Sequence, residues 1–341
     1  MSGTSLDGID VAEVTFTKQD NWTFSFGKCQ TYPYPKLWQQ TLANAHKQTE
    51  ANLKDVNTAY TTYLAQVLQQ FITSHKIQNL DAVCSHGHTI WHEPQKGITL
   101  QIGNQPQLAN KIAQKVVCDF RPQDVSLGGQ GAPLVPIGDA YLFHDYTHCL
   151  NLGGFANISL DKGGNRIAFD VVPVNLVCNT LAQKIGLPFD KDGLVAASGK
   201  VDGKLLESLN NLPYYQRKPP KSLGIEWVNA KVFPLLNQSK LSVADLLATY
   251  LAHVVYQIKQ SMSKKAKVLV TGGGAHNKYL MACLRRDSTI NWVLPSTTLI
   301  DYKEALIFGL LGVLKLRGVP NCLASVTGAA HDHSSGKIFL A

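Results

Sequence analysis

Residues 9–16 (I-D-V-A-E-V-T-F) alternate apolar and other side chains, the period of a half-buried strand. Residues 22–30 read as a second strand. Residues 53–75 hold no Gly or Pro, and Tyr60, Tyr63, Leu64, Val67, Leu68 and Phe71 recur at helical spacing, so a long helix is predicted there. Short apolar runs predict strands over 81–85, 99–102, 116–120, 149–152, 157–160, 167–171 and 267–271. Helices are predicted over 105–114, 175–185, 243–262, 277–286 and 302–316. Gly186 and Pro188 stop the second of these, and the last is apolar nearly all round and so buried. Residues 127–136 form a glycine-rich loop. Pro213, Pro219 and Pro220 make 212–224 another loop, and His331-Asp332-His333 reads as a solvated tail. Strands in runs that then alternate with helices indicate an α/β protein.

A chain of 341 residues suits two domains rather than one core. Hydrophobic residues make up 45% and charged residues 16%, and no low-complexity tract argues for disorder. The formal charge of +8 is scattered rather than striped, which speaks against a nucleic-acid partner and suits an anionic small substrate. Seven cysteines stand singly without a Cys-x-x-Cys pair, as free thiols in a reducing compartment do. No apolar run approaches the roughly 18 residues that span a bilayer, and no signal peptide is visible. The expectation is a cytoplasmic protein without a membrane partner.

Three glycine turns are candidates for phosphate: residues 3–10, Gly153-Gly154, and Gly272-Gly273-Gly274 between a strand and a helix. Each alone is weak, since most such turns only reverse the chain. P-loop and dinucleotide fingerprints are absent, so any nucleotide is held by another fold. Asp7 and Asp10 flank Gly8, where carboxylates hold Mg²⁺ or merely shape a turn. His86, His88 and His92 lack a matching Cys or carboxylate cluster. They suit hydrogen bonds to a polar ligand, with Trp91 against a sugar face; a structural turn is the alternative. Asp170 ends a strand before Pro173 and is a candidate general base, or else a cap or turn residue. Residues 1–16 and 150–160 each set a glycine-rich turn before a strand, a hint of duplication.

Ten segments, among them MSGTSLDGID (1–10), SHGHTIWHEP (85–94), DFRPQDVSLGGQGAPLVP (119–136), NLGGFANISL (151–160), PPKSLGIEW (219–227), TGGGAHN (271–277) and SVTGA (325–329), stand in the order of a known family. Along nearly its whole length the chain resembles the anhydro-N-acetylmuramic acid kinases, of the acetate and sugar kinase, Hsp70 and actin superfamily. The resemblance implies a two-domain actin-like ATPase (ribonuclease H-like) fold with an interdomain cleft, residues 1–125 plus 305–341 forming one domain and 126–304 the other. It implies ATP and Mg²⁺ as cofactors. Gly3, Thr4, Ser5, Leu6, Asp7, Gly8, Ile9 and Asp10 would form the first phosphate hairpin, with Asp7 and Asp10 at the metal. Asn151, Gly153, Gly154 and Asn157 would form the second, and Gly272, Gly273, Gly274 and Asn277 the adenosine site. The sugar would lie near His86, Thr89, His92, Arg121, Gln130, Gly131, Pro133, Asn175 and Glu304, with Asp170 as the base. The implied reaction opens 1,6-anhydro-N-acetylmuramic acid with water and phosphorylates O6, in peptidoglycan recycling. A homodimer is compatible with the resemblance, though no dimer surface is legible in the residues.

The chain departs from the family pattern in three places. The usual Asp-x-Gly-Pro-Gly-Asn is Asp170-Val-Val-Pro-Val-Asn175, with Asn179 in place of a later Asp. His88 replaces a usual Gln. A strand that normally precedes the Met-Ser-Gly is missing, so a chain extended by about eight residues is expected to be more stable. Two rival readings are a kinase for another anhydro sugar, such as levoglucosan, and a nucleotide-binding homologue without turnover. Asp170 favours the enzyme.

Overall fold

The computed structural model describes residues 1–3 and 6–341; Thr4 and Ser5, both expected in the first phosphate hairpin, lie outside the described residues. The chain divides into two compact units, Met1–Leu142 with Tyr302–Ala341, and Phe143–Asp301. The sequence placed the changeovers after residues 125 and 304.

In the first unit the alternating segment forms β1 (Gly8–Lys18), paired antiparallel with β2 (Trp22–Pro33) through a bulge at residues 12–14. Thr49 caps the helix Glu50–Ser74 by accepting the Asn52 N–H at 3.3 Å. That helix buries Leu53, Tyr60, Leu64, Leu68 and Phe71 on one stripe. Tyr60, Leu64 and Leu68 meet Ile9, Ile102, Leu108 and Val116 in a shared core. Strand β3 (Val83–Ser85) leads into the hairpin β4 (His88–Glu93) and β5 (Ile98–Ile102). β6 (Val116–Cys118) pairs parallel with β3 and antiparallel with the strand Lys337–Phe339.

The helix Thr297–Leu316 buries Ile307, Phe308, Leu310, Leu311 and Leu314 against Val117 and Phe120. A Cβ on its Gly312 would lie 2.1 Å from the Cys84 sulfur, so only glycine lets the helix approach β3 this closely.

The sheets of this unit are discontinuous. β1 pairs in a two-stranded sheet with β2, and β3 belongs to a separate three-stranded one. A recess of about 710 Å³ lies where Val11, Val14, Leu64, Leu68, Cys84 and Phe308 converge. At one end the Met1 amino group donates to Asp10 O at 2.6 Å, and the Asp10 N–H returns a bond to Met1 O at 2.8 Å.

The His331–His333 segment is not a solvated tail. His331 is exposed, but His333 is 5% exposed and its Nε2 lies 3.5 Å from Asp124 Oδ1. Asp332 accepts the Ala324 N–H at 2.7 Å. An antiparallel bridge to Cys322, with the Asn321 and Cys322 N–H groups donating to His333 O at 3.0 and 3.1 Å, draws this segment in.

The second unit carries one five-stranded sheet in the order β11-β10-β7-β8-β9. These strands are β7 (His148–Leu152), β8 (Phe155–Lys162), β9 (Asn165–Pro173), β10 (Lys267–Thr271) and β11 (Asn291–Val293). β11, β10 and β7 run parallel; β7, β8 and β9 form an antiparallel meander. Leu150, Leu152, Val268 and Val270 are buried with Leu247, Leu251 and Val254 of the helix Val243–Gln260. Ser242 caps that helix by accepting the Asp245 N–H at 3.1 Å. Tyr250, fully buried, donates from its hydroxyl to Pro173 O at 2.8 Å and ties the helix to the end of β9.

Candidate functional site

In the second unit the sheet register assembles the candidate residues. Thr271 of β10 pairs with Asn151 of β7, Asn151 with Asn157 of β8, and Asn157 with Asp170 of β9. Directly opposed residues point to the same face of a sheet. The four side chains therefore form one row, and Asp170 stands about 10 Å from Asn151, two strand spacings away.

The glycines close on that row. Gly272 follows Thr271 with φ +82°, and a Cβ there would lie 2.5 Å from Asn151 Oδ1 and 2.8 Å from the Leu152 carbonyl carbon. A Cβ on Gly274 would lie 2.8 Å from the Leu152 Cβ. Asn175 joins the same corner, since its Nδ2 donates to Leu152 O at 3.1 Å and its N–H to Gly153 O at 3.2 Å. The second and third glycine turns are thus adjacent. Gly154 and Gly273 are exposed and offer backbone to an incoming anion. Asn277 caps the helix Lys278–Arg285, accepting the Leu280 N–H at 2.9 Å. Its side chain has a structural task that the sequence reading did not assign.

Asp170 is half-buried. Its Oδ2 accepts the Leu223 N–H at 2.9 Å, and its backbone is held by Tyr214 Oη at 2.7 Å and Lys221 O at 3.1 Å. Oδ1 has no protein partner among the described residues. Burial pushes the carboxyl above the ordinary aspartate value, and the Leu223 N–H opposes this. The loop 212–224 is therefore the mount of the candidate base, a role its proline content alone did not reveal.

In the first unit the first glycine hairpin is tight. A Cβ on Gly8 would lie 2.5 Å from Tyr32 O. Ile9 is buried in the core, so only its backbone is available to a ligand. Asp7 is exposed and its Oδ1 accepts the Gly8 N–H at 3.0 Å. Asp10 Oδ1 accepts from the Thr31 hydroxyl at 2.6 Å, and Thr31 in turn meets Tyr302 Oη at 3.1 Å. Thr31 and Tyr302 went unnoticed in the sequence because neither lies in a motif. Glu304 keeps solvent contact, but crowding by protein raises its carboxyl; Arg121 and the Met1 amino group oppose the rise, and Asp10 adds to it.

The histidines are neutral hydrogen-bonding groups rather than a metal cluster. His86 Nδ1 donates to Gly87 O at 2.9 Å, which leaves Nε2 to accept the Arg121 Nε–H at 3.0 Å. Burial holds His86 well below the ordinary histidine value, helped by the Arg121 charge. Burial also brings His88 down to about 4, and its Nδ1 bonds to the Ser2 hydroxyl at 2.8 Å. His92 Nδ1 pairs with Thr99 Oγ1 at 3.0 Å, while Thr89 sits opposite Gln101 in the β4–β5 hairpin. Trp91 is held by a bond to His46 O at 3.2 Å.

Arg121 also donates through Nη1 to Gly131 O at 2.6 Å, and among the described residues Nη2 has no hydrogen-bond partner. Burial lowers its pKa to about 10, and it stays charged at neutral pH. Gln130 accepts from Gln95 Nε2 at 3.3 Å, and Pro133 follows a cis peptide bond. Sheet register brings Asp170, Asn151, Asn157 and Gly272 together in the second unit. Side-chain bonds bring His86, Arg121 and Gly131 together in the first.

A family model described as anhydro-N-acetylmuramic acid kinase matches residues 1–341. The chain is 37% identical to the protein of that name from Pseudomonas syringae pv. tomato, over 100% of this chain and 98% of the relative. It is 33% identical to that from Haemophilus influenzae (99% and 96%) and 32% identical to that from Methylorubrum extorquens (98% and 96%). Among solved structures, the activator of the 2-hydroxyisocaproyl-CoA dehydratase from Clostridium difficile with bound ADPNP is similar at a TM-score of 0.38. It is 15% identical, over 64% of this chain and 86% of that one.

Proposed function

The chain belongs to the anhydro-N-acetylmuramic acid kinase family, and from that premise we propose that it uses ATP and water to open 1,6-anhydro-N-acetylmuramic acid and phosphorylate O6. Asp170 Oδ1 takes a proton from water as the water oxygen bonds to the anomeric carbon, as the base of an inverting glycosidase does. The bond from that carbon to O6 breaks, O6 bonds to the γ-phosphorus as the bond from that phosphorus to the β-phosphate oxygen breaks, and Asp170 then gives its proton to solvent. ADP and the 6-phosphate of the opened sugar leave.

The observation that carries this reading is the row in the second unit. A carboxylate with one open oxygen stands on the same sheet face as the asparagines that lead to two packed glycine turns. Backbone N–H groups at Gly153, Gly154 and Gly273 would bind phosphate, and Asp7 and Asp10 would hold Mg²⁺, which supplies charge neutralisation at the phosphates. Arg121 Nη2 would meet the lactyl carboxylate of the sugar. The reading also places the protein in the cytoplasm, beside ATP, which the seven free cysteines support.

Purified protein given ATP, Mg²⁺ and the anhydro-muramyl sugar is expected to release one ADP per 6-phosphate formed, and to turn over levoglucosan far more slowly. ADP release that does not depend on the sugar, or a preference for levoglucosan, would refute the proposal.

A further inference from the structure

Beneath the glycine-rich loop of the first unit lies a buried cluster that the reaction does not use. Asp124 is fully buried, yet it is a carboxylate whose two oxygens are both committed. Oδ2 accepts the Gly131 N–H at 2.6 Å and Oδ1 accepts the Thr327 hydroxyl at 2.7 Å. His333, itself buried, donates from Nδ1 to His331 O at 3.1 Å and turns Nε2 toward Asp124 Oδ1 at 3.5 Å. The backbone adds two further ties: Gln130 N–H to Thr327 O at 2.8 Å and Ala330 N–H to Leu127 O at 3.0 Å. Cys322 completes a set of three ligand atoms within 4.8 Å of one another. Because the Asp124 oxygens already hold protein donors, the cluster serves as a pin rather than a metal cage.

The pinned residue is also the partner of Arg121. Gly131 is held at its N–H by Asp124 and at its carbonyl by Arg121 Nη1. It has φ +66°, and a Cβ on it would lie 2.8 Å from Val125 Cγ2. A Cβ on Gly129 would lie 2.2 Å from Asp124 Oδ2, so the loop wraps the carboxylate directly. Arg121 is fixed at Nη1 by this loop and at Nε by His86. The direction of its remaining Nη2 therefore depends on where Gly131 stands.

We propose that Asp124, braced by Thr327 from the C-terminal segment, is a positioning residue that sets the 129–131 loop and through it aims Arg121 at the anionic group of the sugar. This rests on the sugar-site reading above. It adds that the final twenty or so residues of the chain take part in sugar recognition without touching the sugar.

The test is Asp124→Asn, which keeps size and removes the charged acceptor, with Thr327→Val as a milder second variant. Two readouts are needed: amide hydrogen exchange at Gly129, Gln130 and Gly131, and Michaelis constants for sugar and ATP measured separately. The expected result is faster exchange at these amides, a sugar KM raised about tenfold or more, and an ATP KM within twofold of the parent. Thr327→Val should move both readouts in the same direction by less. Unchanged exchange would overturn the pin itself. Faster exchange with an unchanged sugar KM, or with both KM values raised equally, would overturn its link to sugar recognition. Whether the sugar site is read correctly is judged separately, by Arg121 variants.

Discussion

The two units hold their candidate residues by different means. In the second, a continuous five-stranded sheet puts Asn151, Asn157 and Asp170 in one row through backbone register. In the first, the sheet is split into β1-β2 and a separate β3-containing sheet, and His86, Arg121, Gln130, Gly131 and Pro133 sit outside strands and helices. There the order comes from side chains gripping backbone: Arg121 on Gly131, Asp124 on Gly131, and Asn104 Nδ2 on His86 O at 3.2 Å. A register-built site loses chemistry when a side chain is changed and keeps its shape. A site built from side-chain grips loses shape along with the contact. Replacements in the two units should therefore differ in kind as well as in size.

The largest effect is expected from Asp170→Asn. The amide can still accept the Leu223 N–H, so the loop mount persists, but it cannot take a proton from water. Turnover should fall by about 10²–10⁴ with ATP binding and melting temperature little changed. Activity within tenfold of the parent would remove Asp170 from the role of base.

Next in size is Arg121→Ala. Removing a cation from a carboxylate should raise the KM of the muramyl sugar by about 10- to 100-fold, and that of a sugar without the lactyl group by much less. This variant should also loosen the 129–131 loop, a collateral change that Asp170→Asn lacks. Equal losses for the two sugars would mean that Arg121 supports the loop alone.

These two residues differ in how far the sequence alone could find them. The alternation of residues 9–16 and the helical stripe of 53–75 announced β1 and the helix Glu50–Ser74, because each pattern is local. β4 was missed: His88–Glu93 sits behind a glycine and reads as a motif rather than a strand, and its partners, from Ile98 opposite Glu93 to Ile102 opposite His88, lie in a separate segment. The glycine turns could be found singly, whereas the packing of Gly272 against Asn151 depends on β10 lying beside β7, which periodicity does not encode. His333 was misread for the same reason, since its bridge to Cys322 depends on a pairing that local polarity does not encode. Motifs reveal which residue types are available. Register and burial decide which of them meet.

A smaller effect concerns pH. As the base, Asp170 must be ionised, and its folded-state value is raised by burial. Activity is therefore lost as pH falls through that raised value, above the range of an ordinary aspartate. The Leu223 N–H stabilises the ionised form, so deleting that donor with Leu223→Pro should move the acid limb of kcat/KM to higher pH. The rate on the alkaline side should be largely kept. A limb that stays in place, or moves to lower pH, would show that this hydrogen bond does not tune the base.

The smallest effect tests the contrast between the sheets. The recess beside β1 is lined on one side by Leu64 and Leu68 of the helix Glu50–Ser74 and on another by Phe308 of the helix Thr297–Leu316. A strand placed there would be covered on both faces, so it should be apolar throughout rather than alternating. The Met1–Asp10 pair fixes its direction: residues joined ahead of Met1 would run antiparallel to β1. Fusing about eight Val- and Ile-rich residues ahead of Met1 is expected to raise the melting temperature by a few degrees, about what 1–2 kcal/mol gives a chain of this size. A polar segment of equal length should not. Melting of the first unit should respond while the Asp170 row, held in the other sheet, keeps its hydrogen-exchange protection. If both segments leave the melting temperature unchanged, the recess is not a gap between strands, and the contrast between a continuous and a broken sheet has no energetic content.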